Sequence, residues 1–289
     1  MKWGGHIGAL AVVTVWGTTF VSSKILLNTG LMPADIFFYR FLMAYLCLAL
    51  VSHRRWWTDT WQDELRLMAL GLMGGSLYFL TENMALVYSA TSNVSILVSC
   101  SPMLTALVVG LFYRSERMNM RQVLGSIVAF VGMAMIVLNG QLILHLNPLG
   151  DILALSAALT WAFYSLLMKG VMGRYSTDFI TRKIFFYGVL TILPYFLWVE
   201  PLNTHIALLQ EPKVLGNLLF LGLLASTGCY LLWNWVMKAL GAVKATNYIY
   251  LQSLVTMLFA HLVLGERITW MAIAGTLLLI LGMLRTQRR

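Results

Sequence analysis

Ten apolar segments follow one another along this chain, and short polar connectors separate them. A helix of about 20 apolar residues spans the hydrocarbon core of a bilayer. The segments predict ten such helices, at 4–27, 34–52, 65–88, 93–113, 121–140, 149–169, 179–198, 214–238, 245–264 and 268–284. Together they occupy most of the 289 residues and leave no room for a soluble catalytic domain. The predicted fold class is therefore an all-α integral membrane protein with ten transmembrane helices.

The composition excludes an ordinary water-soluble domain. Hydrophobic residues make up 60% of the chain and charged residues only 11%, whereas soluble domains contain about 25% charged residues. Three cysteines, Cys47, Cys100 and Cys229, lie far apart within apolar segments. They are expected to be packed free thiols rather than a disulfide framework.

The net charge of +9 does not indicate a nucleic-acid partner, because the basic residues lie in short loops between apolar segments. Sixteen Lys and Arg residues fall on one predicted side of the membrane and three on the other, with Arg40 left inside the second span. Basic loops stay in the cytoplasm and attract anionic lipid. We therefore expect a multi-pass protein of the cell's inner (plasma) membrane with both termini in the cytoplasm and membrane lipid as a partner.

The two halves of the sequence repeat one another, which predicts domains at 1–143 and 149–289. Trp16 recurs 145 residues later as Trp161. A second set recurs at a spacing of 150: Glu116-Arg117, Gly125 and Gly132 return as Glu266-Arg267, Gly275 and Gly282. Because each half has five spans, an odd number, the second half must be inverted in the membrane. Inverted repeats are typical of secondary transporters that alternate between two states.

The glycines of this repeat are seven residues apart, on one helix face, which predicts close packing of helices within the chain. A role in dimer formation is the alternative.

These residues give the chain a resemblance to the drug/metabolite transporter superfamily, specifically to its EamA-like family. The matching stretches are Trp16-Gly17-Thr18-Thr19-Phe20, Tyr39-Arg40-Phe41, Ala85-Leu86, Asn93 to Ser101-Pro102, Glu116-Arg117, Gly150-Asp151, Ala158-Leu159-Thr160-Trp161, Ala239-Leu240 and Gly265-Glu266-Arg267. The resemblance implies ten helices, alternating access, and export or exchange of amino acids or related small metabolites.

Glu82 is the only acidic residue predicted well inside a span, and Arg40 lies at a similar depth from the outer end. Ionisable residues within the membrane commonly mark a transport path. We hypothesise that the two pair in an outer gate, which substrate or a proton opens. The alternatives are a buried carboxyl that serves packing and an arginine that snorkels to the headgroups. In the inverted half, Lys183 and Asn234 take the corresponding positions on the inner side, so the second half lacks the acid and the two gates are predicted to be chemically unequal.

Several aromatic side chains could line a cavity for an organic substrate. The candidates are Trp16, Trp161, Tyr78, Tyr164 and Tyr250, with Asn234 as a polar member of the same site. Trp16 and Trp161 are favoured because the repeat makes them equivalent. The alternative is that these aromatics fill the core or anchor the membrane interface.

An enzyme is disfavoured, because the sequence contains no zinc-protease helix, no serine nucleophile elbow and no P-loop. We expect no catalytic residues, no metal ligands and no cofactor. A channel or facilitator and an intramembrane enzyme remain the alternatives to a transporter. A small organic molecule is the expected partner, and protons are a candidate coupling ion.

Overall fold

The computed structural model of the chain describes residues 2–52, 55–89, 91–114, 117–138, 147–252, 254–255, 258–259 and 269–287. Within these ranges the chain forms helices and connecting loops, and no β-sheet. The α-helices are α1 Lys2–Asn28, α2 Pro33–Val51, α3 Trp61–Gly71, α4 Leu77–Tyr88, α5 Thr91–Val98, α6 Ser101–Phe112, α7 Met120–Leu138, α8 Pro148–Val171, α9 Thr177–Trp198, α10 Ile206–Gln210, α11 Pro212–Leu219, α12 Cys229–Leu240, α13 Ala242–Thr246 and α14 Trp270–Gln287.

Five helical stretches of the described chain are long and apolar enough to cross a membrane: Trp3–Asn28, Pro33–Val51, Pro148–Val171, Thr177–Trp198 and Pro212–Leu240. They agree with the predicted spans to within a few residues. Together with the all-helical fold, they fit a multi-pass membrane protein.

Two predicted spans differ from the helices observed. The third begins at Trp61 rather than at 65, because the Thr60 side chain caps the helix by accepting from the backbone N–H of Asp63. This start brings Asp63 and Glu64 into the helix, and both are buried. The fourth is interrupted between α5 and α6, where Pro102 stands in the first turn of α6. Proline lacks the N–H that would continue the earlier helix.

Two π-helical segments interrupt equivalent spans of the two halves. Leu72–Ser76 joins α3 to α4, and Phe220–Gly228 joins α11 to α12. Each π turn inserts residues into the ordinary helical register, and such turns are frequent at functional sites. The side chains after each segment are therefore rotated relative to an uninterrupted helix.

The repeated glycines of α7 and α14 face each other across an antiparallel helix pair. A Cβ atom added at Gly132 would lie 2.4 Å from the backbone nitrogen of Leu279, and one added at Gly282 would lie 2.3 Å from that of Ala129. The predicted packing within the chain is confirmed, since only glycine permits this approach. Of the repeat residues, Glu116, Glu266 and Arg267 lie outside the described residues.

Candidate functional site

A cavity with about 430 Å³ of empty volume lies among helices from both halves of the chain. Its walls combine one cation, one acid, several aromatic rings and a few hydroxyl and amide groups. The lining residues are Trp16, Thr19, Arg40, Tyr78, Phe79, Glu82, Val98, Ser101, Trp161, Tyr230, Ile249 and Gln252. Five of the predicted site residues are thus brought together: Trp16, Arg40, Tyr78, Glu82 and Trp161.

Arg40 enters the cavity from α2 and is only 2% exposed. Its Nε donates to Ser226 Oγ at 2.9 Å, and its guanidinium carbon lies 4.1 Å from the centroid of the Phe79 ring. Arg40 therefore does not snorkel. Its two terminal nitrogens make no hydrogen bond to the described residues, so they can serve as a fork for a planar anion such as a carboxylate.

Glu82 lies on α4 and is 7% exposed. Tyr78, one turn earlier, donates its hydroxyl to Glu82 Oε1 at 3.2 Å. Arg40 and Glu82 line the same cavity but form no ion pair or hydrogen bond with each other. The two opposite charges are thus held by separate partners, Ser226 and Tyr78, and both remain available to a bound molecule.

The aromatic wall contains Trp16 and Trp161, the two tryptophans that the sequence repeat relates to each other. The rings of Trp16 and Trp161 meet edge to face with centroids 5.5 Å apart, and Tyr78 lies 5.1 Å from Trp161. Trp16 Nε1 donates to the carbonyl of Ala225 at 3.0 Å. Trp161 Nε1 is buried and has no hydrogen-bond partner in the described part of the chain, which leaves one unsatisfied donor beside the cavity.

Three predicted site residues do not line the cavity. The Tyr164 hydroxyl donates to Asn234 Oδ1, and Asn234 Nδ2 donates to Thr181 Oγ1 at 2.8 Å. These bonds tie α8, α12 and α9 together behind the aromatic wall, where Tyr164 contacts Trp161 at 4.9 Å between centroids. Tyr250 is fully buried and likewise absent from the lining. The hydrogen bonds of Tyr164 and Asn234 connect helices, whereas the Tyr250 hydroxyl has no hydrogen-bond partner among the described residues.

The sequence did not indicate Tyr230 or Ser226 as members of the site. Tyr230 packs against Trp16 with centroids 5.8 Å apart and donates its hydroxyl to the carbonyl of Gly74. A signal existed for Tyr230, because it follows Tyr78 by 152 residues, the same spacing that relates Glu82 to Asn234. Ser226 lies within the π-helical segment Phe220–Gly228, whose register cannot be read from a helical period.

The opposite end of the same helices carries a network of buried charges. Lys183 of α9 forms an ion pair with Glu64 of α3, and the Tyr187 hydroxyl donates to the same carboxylate. Thr58 adds a backbone N–H at 3.1 Å and a hydroxyl at 2.8 Å. The acid that pairs with Lys183 thus comes from the first half of the chain. Asn234, which takes the position of Glu82 in the second half, bonds Tyr164 and Thr181 instead.

Asp63 is the centre of a second cluster at this end, just before the predicted third span. Its carboxylate pairs with Arg174 at 2.6 Å and Arg66 at 2.9 Å, and accepts from the Tyr175 hydroxyl at 2.8 Å. Burial raises the pKa of Asp63, but the hydrogen bonds from Tyr175 and Thr60 and the charge of Arg174 outweigh it. The net pKa is below the ordinary value.

Asp63→Asn is expected to lower the stability of the folded protein at pH 7 by roughly 1–3 kcal/mol, because it removes a charged acceptor from several donors. A lowered folded-state pKa gives stability that is present above the unfolded pKa of about 3.9. It is lost as the pH falls through the folded pKa. The gap in the free energy of unfolding between wild type and variant should thus be full at pH 7 and should shrink as the pH falls below about 4.

Thermal melting between pH 3 and pH 7 measures this gap. Asp59→Asn is the matched control, since the Arg55–Asp59 pair is largely exposed and such pairs contribute about 0–1 kcal/mol. Equal losses in the two variants at pH 7 would show that the Asp63 cluster does not stabilise the fold.

Comparison with known proteins gives one consistent family. The sequence profile of the EamA-like transporter family matches this chain twice, over residues 3–138 and 148–286. An uncharacterized transporter of Archaeoglobus fulgidus is 28% identical, over 97% of this chain and 96% of its own. A probable terminal-alkyne amino-acid exporter of Streptantibioticus cattleyicolor is 26% identical over 100% and 95%.

A probable amino-acid metabolite efflux pump of Escherichia coli is 24% identical to this chain, over 95% of this chain and 92% of the pump. A solved crystal structure with 16% identity superposes with a TM-score of 0.73 over 99% of this chain and 98% of that one, which shows that the fold is shared. The chain, an all-helical protein with apolar spans around a polar-and-aromatic cavity, belongs to the EamA-like transporter family.

Proposed function

We propose that this protein is a secondary transporter that exports amino acids or related small metabolites by alternating access. The observation that carries the proposal is the cavity, in which a forked cation and an acid face the same space between aromatic walls. A zwitterionic organic molecule matches all three features. Its carboxylate would bind Arg40, its ammonium group Glu82, and its apolar part the rings of Trp16 and Trp161.

The printed names of the relatives, an amino-acid exporter and an amino-acid metabolite efflux pump, favour the same substrate class and the outward direction.

The helix contacts support ten spans in two inverted halves, 1–143 and 149–289. Helix α2 packs on the π-helical segment of the second half, and α9 packs on that of the first. Helix α7 packs along α14, the last helix of the other half. Exchanging the halves maps each of these contacts onto its counterpart, as an inverted repeat requires.

The functional assignment needs no catalytic residue and no cofactor. Among the described residues, no group of three or more His, Cys, Asp or Glu side chains is placed to hold a metal ion. Glu82 is the residue in the cavity that can exchange a proton, so proton coupling would act through it.

Counterflow in proteoliposomes tests the proposed function. Vesicles loaded with an unlabelled amino acid should accumulate the labelled one transiently, with a rate that saturates. Labelled sugars and nucleotides serve as comparison substrates. A flux that rises linearly with concentration and shows no counterflow would indicate a channel. Counterflow for sugars or nucleotides but not amino acids would overturn the proposed substrate class.

The proposed orientation predicts the location of reporter fusions. Sixteen basic residues against three favour both termini in the cytoplasm. A reporter fused after Arg289 should therefore read cytoplasmic, and one inserted in the loop between α9 and α11 should read external. A cytoplasmic signal from that loop would contradict the inverted-repeat topology.

A further inference from the structure

A second cavity, with about 480 Å³ of empty volume, lies where α2 ends and α9 begins. Its lining is formed by Tyr45, Trp56, Trp57, Arg182, Lys183 and Phe186. It shares no lining residue with the central cavity and contains none of the residues assigned to substrate. The central cavity does not explain why two cations and four aromatic rings line this second cavity.

Arg182 is 1% exposed, and its positive charge has no carboxylate partner among the described ion pairs. Its two terminal nitrogens donate to the backbone carbonyls of Ser52 and Arg55. These carbonyls satisfy N–H groups but do not neutralise the guanidinium charge. Asp178, one turn earlier on the same helix, lies near enough to act on Arg182 through its charge, but its carboxylate accepts from the Ser52 hydroxyl at 2.5 Å. Among the described residues, no carboxylate therefore bonds the guanidinium directly.

Both cations lie against tryptophan rings. The guanidinium carbon of Arg182 is 4.7 Å from the centroid of the Trp56 ring, and Lys183 Nζ is 4.5 Å from that of Trp57. Lys183 also pairs with Glu64, whose carboxylate accepts from Tyr187 and Thr58 as well. An ammonium group has three N–H donors, so Lys183 can bind a further anion. Each of the two consecutive cations thus has a tryptophan ring of the loop beside it.

The position of the cavity along the helices matches the boundary between headgroups and acyl chains. Trp56 and Trp57 lie in the loop after α2, and Trp57 is 68% exposed; tryptophans of membrane proteins concentrate at the headgroup level. Tyr45 lies six residues before the end of α2, about 9 Å deeper along the helix. The lining therefore combines two cations with aromatic rings from both the loop and the two helices.

We propose that this cavity binds an anionic phospholipid, with the headgroup phosphate on Arg182 and Lys183 and an acyl chain over Tyr45 and Phe186. A phosphate diester supplies an anion that can bond the cations directly. A lipid, unlike free phosphate, also covers the rings of Tyr45 and Phe186. The leaflet follows from the proposed orientation and is the cytoplasmic one, while the binding itself requires only that the protein is embedded in a membrane.

Lipid binding is measured on the purified full-length protein in a neutral detergent. Phosphatidylglycerol should remain bound in native mass spectrometry and should raise the melting temperature by about 3–6 °C near saturation. Phosphatidylcholine, glycerol phosphate and inorganic phosphate should have much smaller effects. Equal stabilisation by phosphatidylcholine, or by inorganic phosphate alone, would overturn the assignment to an anionic lipid.

Variants distinguish lipid binding in this cavity from general effects of lipid on the protein. Trp56→Ala with Trp57→Ala should weaken phosphatidylglycerol binding about tenfold, because the rings that hold the cations and the headgroup are gone. Trp61→Ala is the matched control, since Trp61 is 73% exposed and does not line the cavity. An equal loss in the control would overturn the proposal.

Arg182→Gln removes the charge and keeps one donor for a backbone carbonyl. It should abolish the preference for phosphatidylglycerol over phosphatidylcholine, and an unchanged preference would overturn the role of Arg182. If this variant does not fold, the tryptophan variants still decide the question. Counterflow of amino acids in vesicles of pure phosphatidylcholine reports the central cavity separately, so failure of the lipid site and failure of the proposed function are distinguishable.

Discussion

Glu82→Gln is expected to slow transport by about tenfold to a hundredfold while the protein folds normally. The change keeps the shape of the side chain and its acceptor for the Tyr78 hydroxyl, but it removes the only carboxylate among the described residues that line the cavity. A charge-assisted hydrogen bond contributes about 1.5–3 kcal/mol, and about 1.4 kcal/mol corresponds to a factor of ten. Initial counterflow rates in proteoliposomes between pH 5 and pH 8 measure the effect.

Glu211→Gln is the matched control, because Glu211 is exposed at the start of α11 and does not line the cavity. Size-exclusion profiles and melting temperatures of both variants should equal those of the wild type. Transport by Glu82→Gln at the wild-type rate across this pH range would make Glu82 a packing residue.

The hypothesised outer gate requires Arg40 to leave Ser226 and meet Glu82 in a different state of the protein. In this structure each charge has its own neutral partner, and the two line one cavity without contact. Exchange between the two arrangements would couple the binding of an anion at Arg40 to the freeing of Glu82. Arg40→Ala is therefore expected to weaken the pH dependence of transport as well as its rate.

The sequence predicted the site residues that stand out in a pattern along the whole chain. Arg40 and Glu82 stand out because a charge within an apolar segment is costly unless it faces a protein interior. Trp16 and Trp161 stand out because the repeat relates them. The structure brings these four residues into one cavity, since each lies on a helix that contributes to the wall.

Other features depended on the helical phase, which the sequence does not reveal. The π-helical segment Phe220–Gly228 shifts the register of the helix that follows and so sets which way the face with Tyr230 and Asn234 points. Tyr230 lines the cavity, and Asn234, one turn further along, bonds Tyr164 and Thr181. The sequence also could not predict charge pairs between the halves. The pairing of Glu64 with Lys183 depends on which helices meet, and local sequence contains no such information.

A leucine at Gly132 or Gly282 is expected to give the largest loss of folded protein. Helices in a membrane associate largely through van der Waals packing of small residues, because lipid tails are as apolar as side chains. A Cβ atom at Gly132 would lie 2.4 Å from the backbone nitrogen of Leu279, and one at Gly282 would lie 2.3 Å from that of Ala129. The obstacle in both cases is backbone, which cannot rotate away as a side chain can.

Contacts between carbon atoms are optimal at about 3.5–4.0 Å, so α7 and α14 would have to separate by roughly 1 Å or more at the substituted position. A separation of that size would open the contacts along the whole antiparallel pair, which joins the last helix of one half to the last helix of the other. The expected result for Gly132→Leu and Gly282→Leu is a several-fold lower yield of monodisperse protein and a lower melting temperature, measured by fluorescence-detected size exclusion.

Gly216→Leu is the matched control, because Gly216 is also helical but a Cβ atom there would meet nothing within 4 Å. Normal yield and melting temperature for both test variants would mean that these glycine faces meet lipid rather than each other. A loss as large in Gly216→Leu would mean that the cost is not one of helix packing.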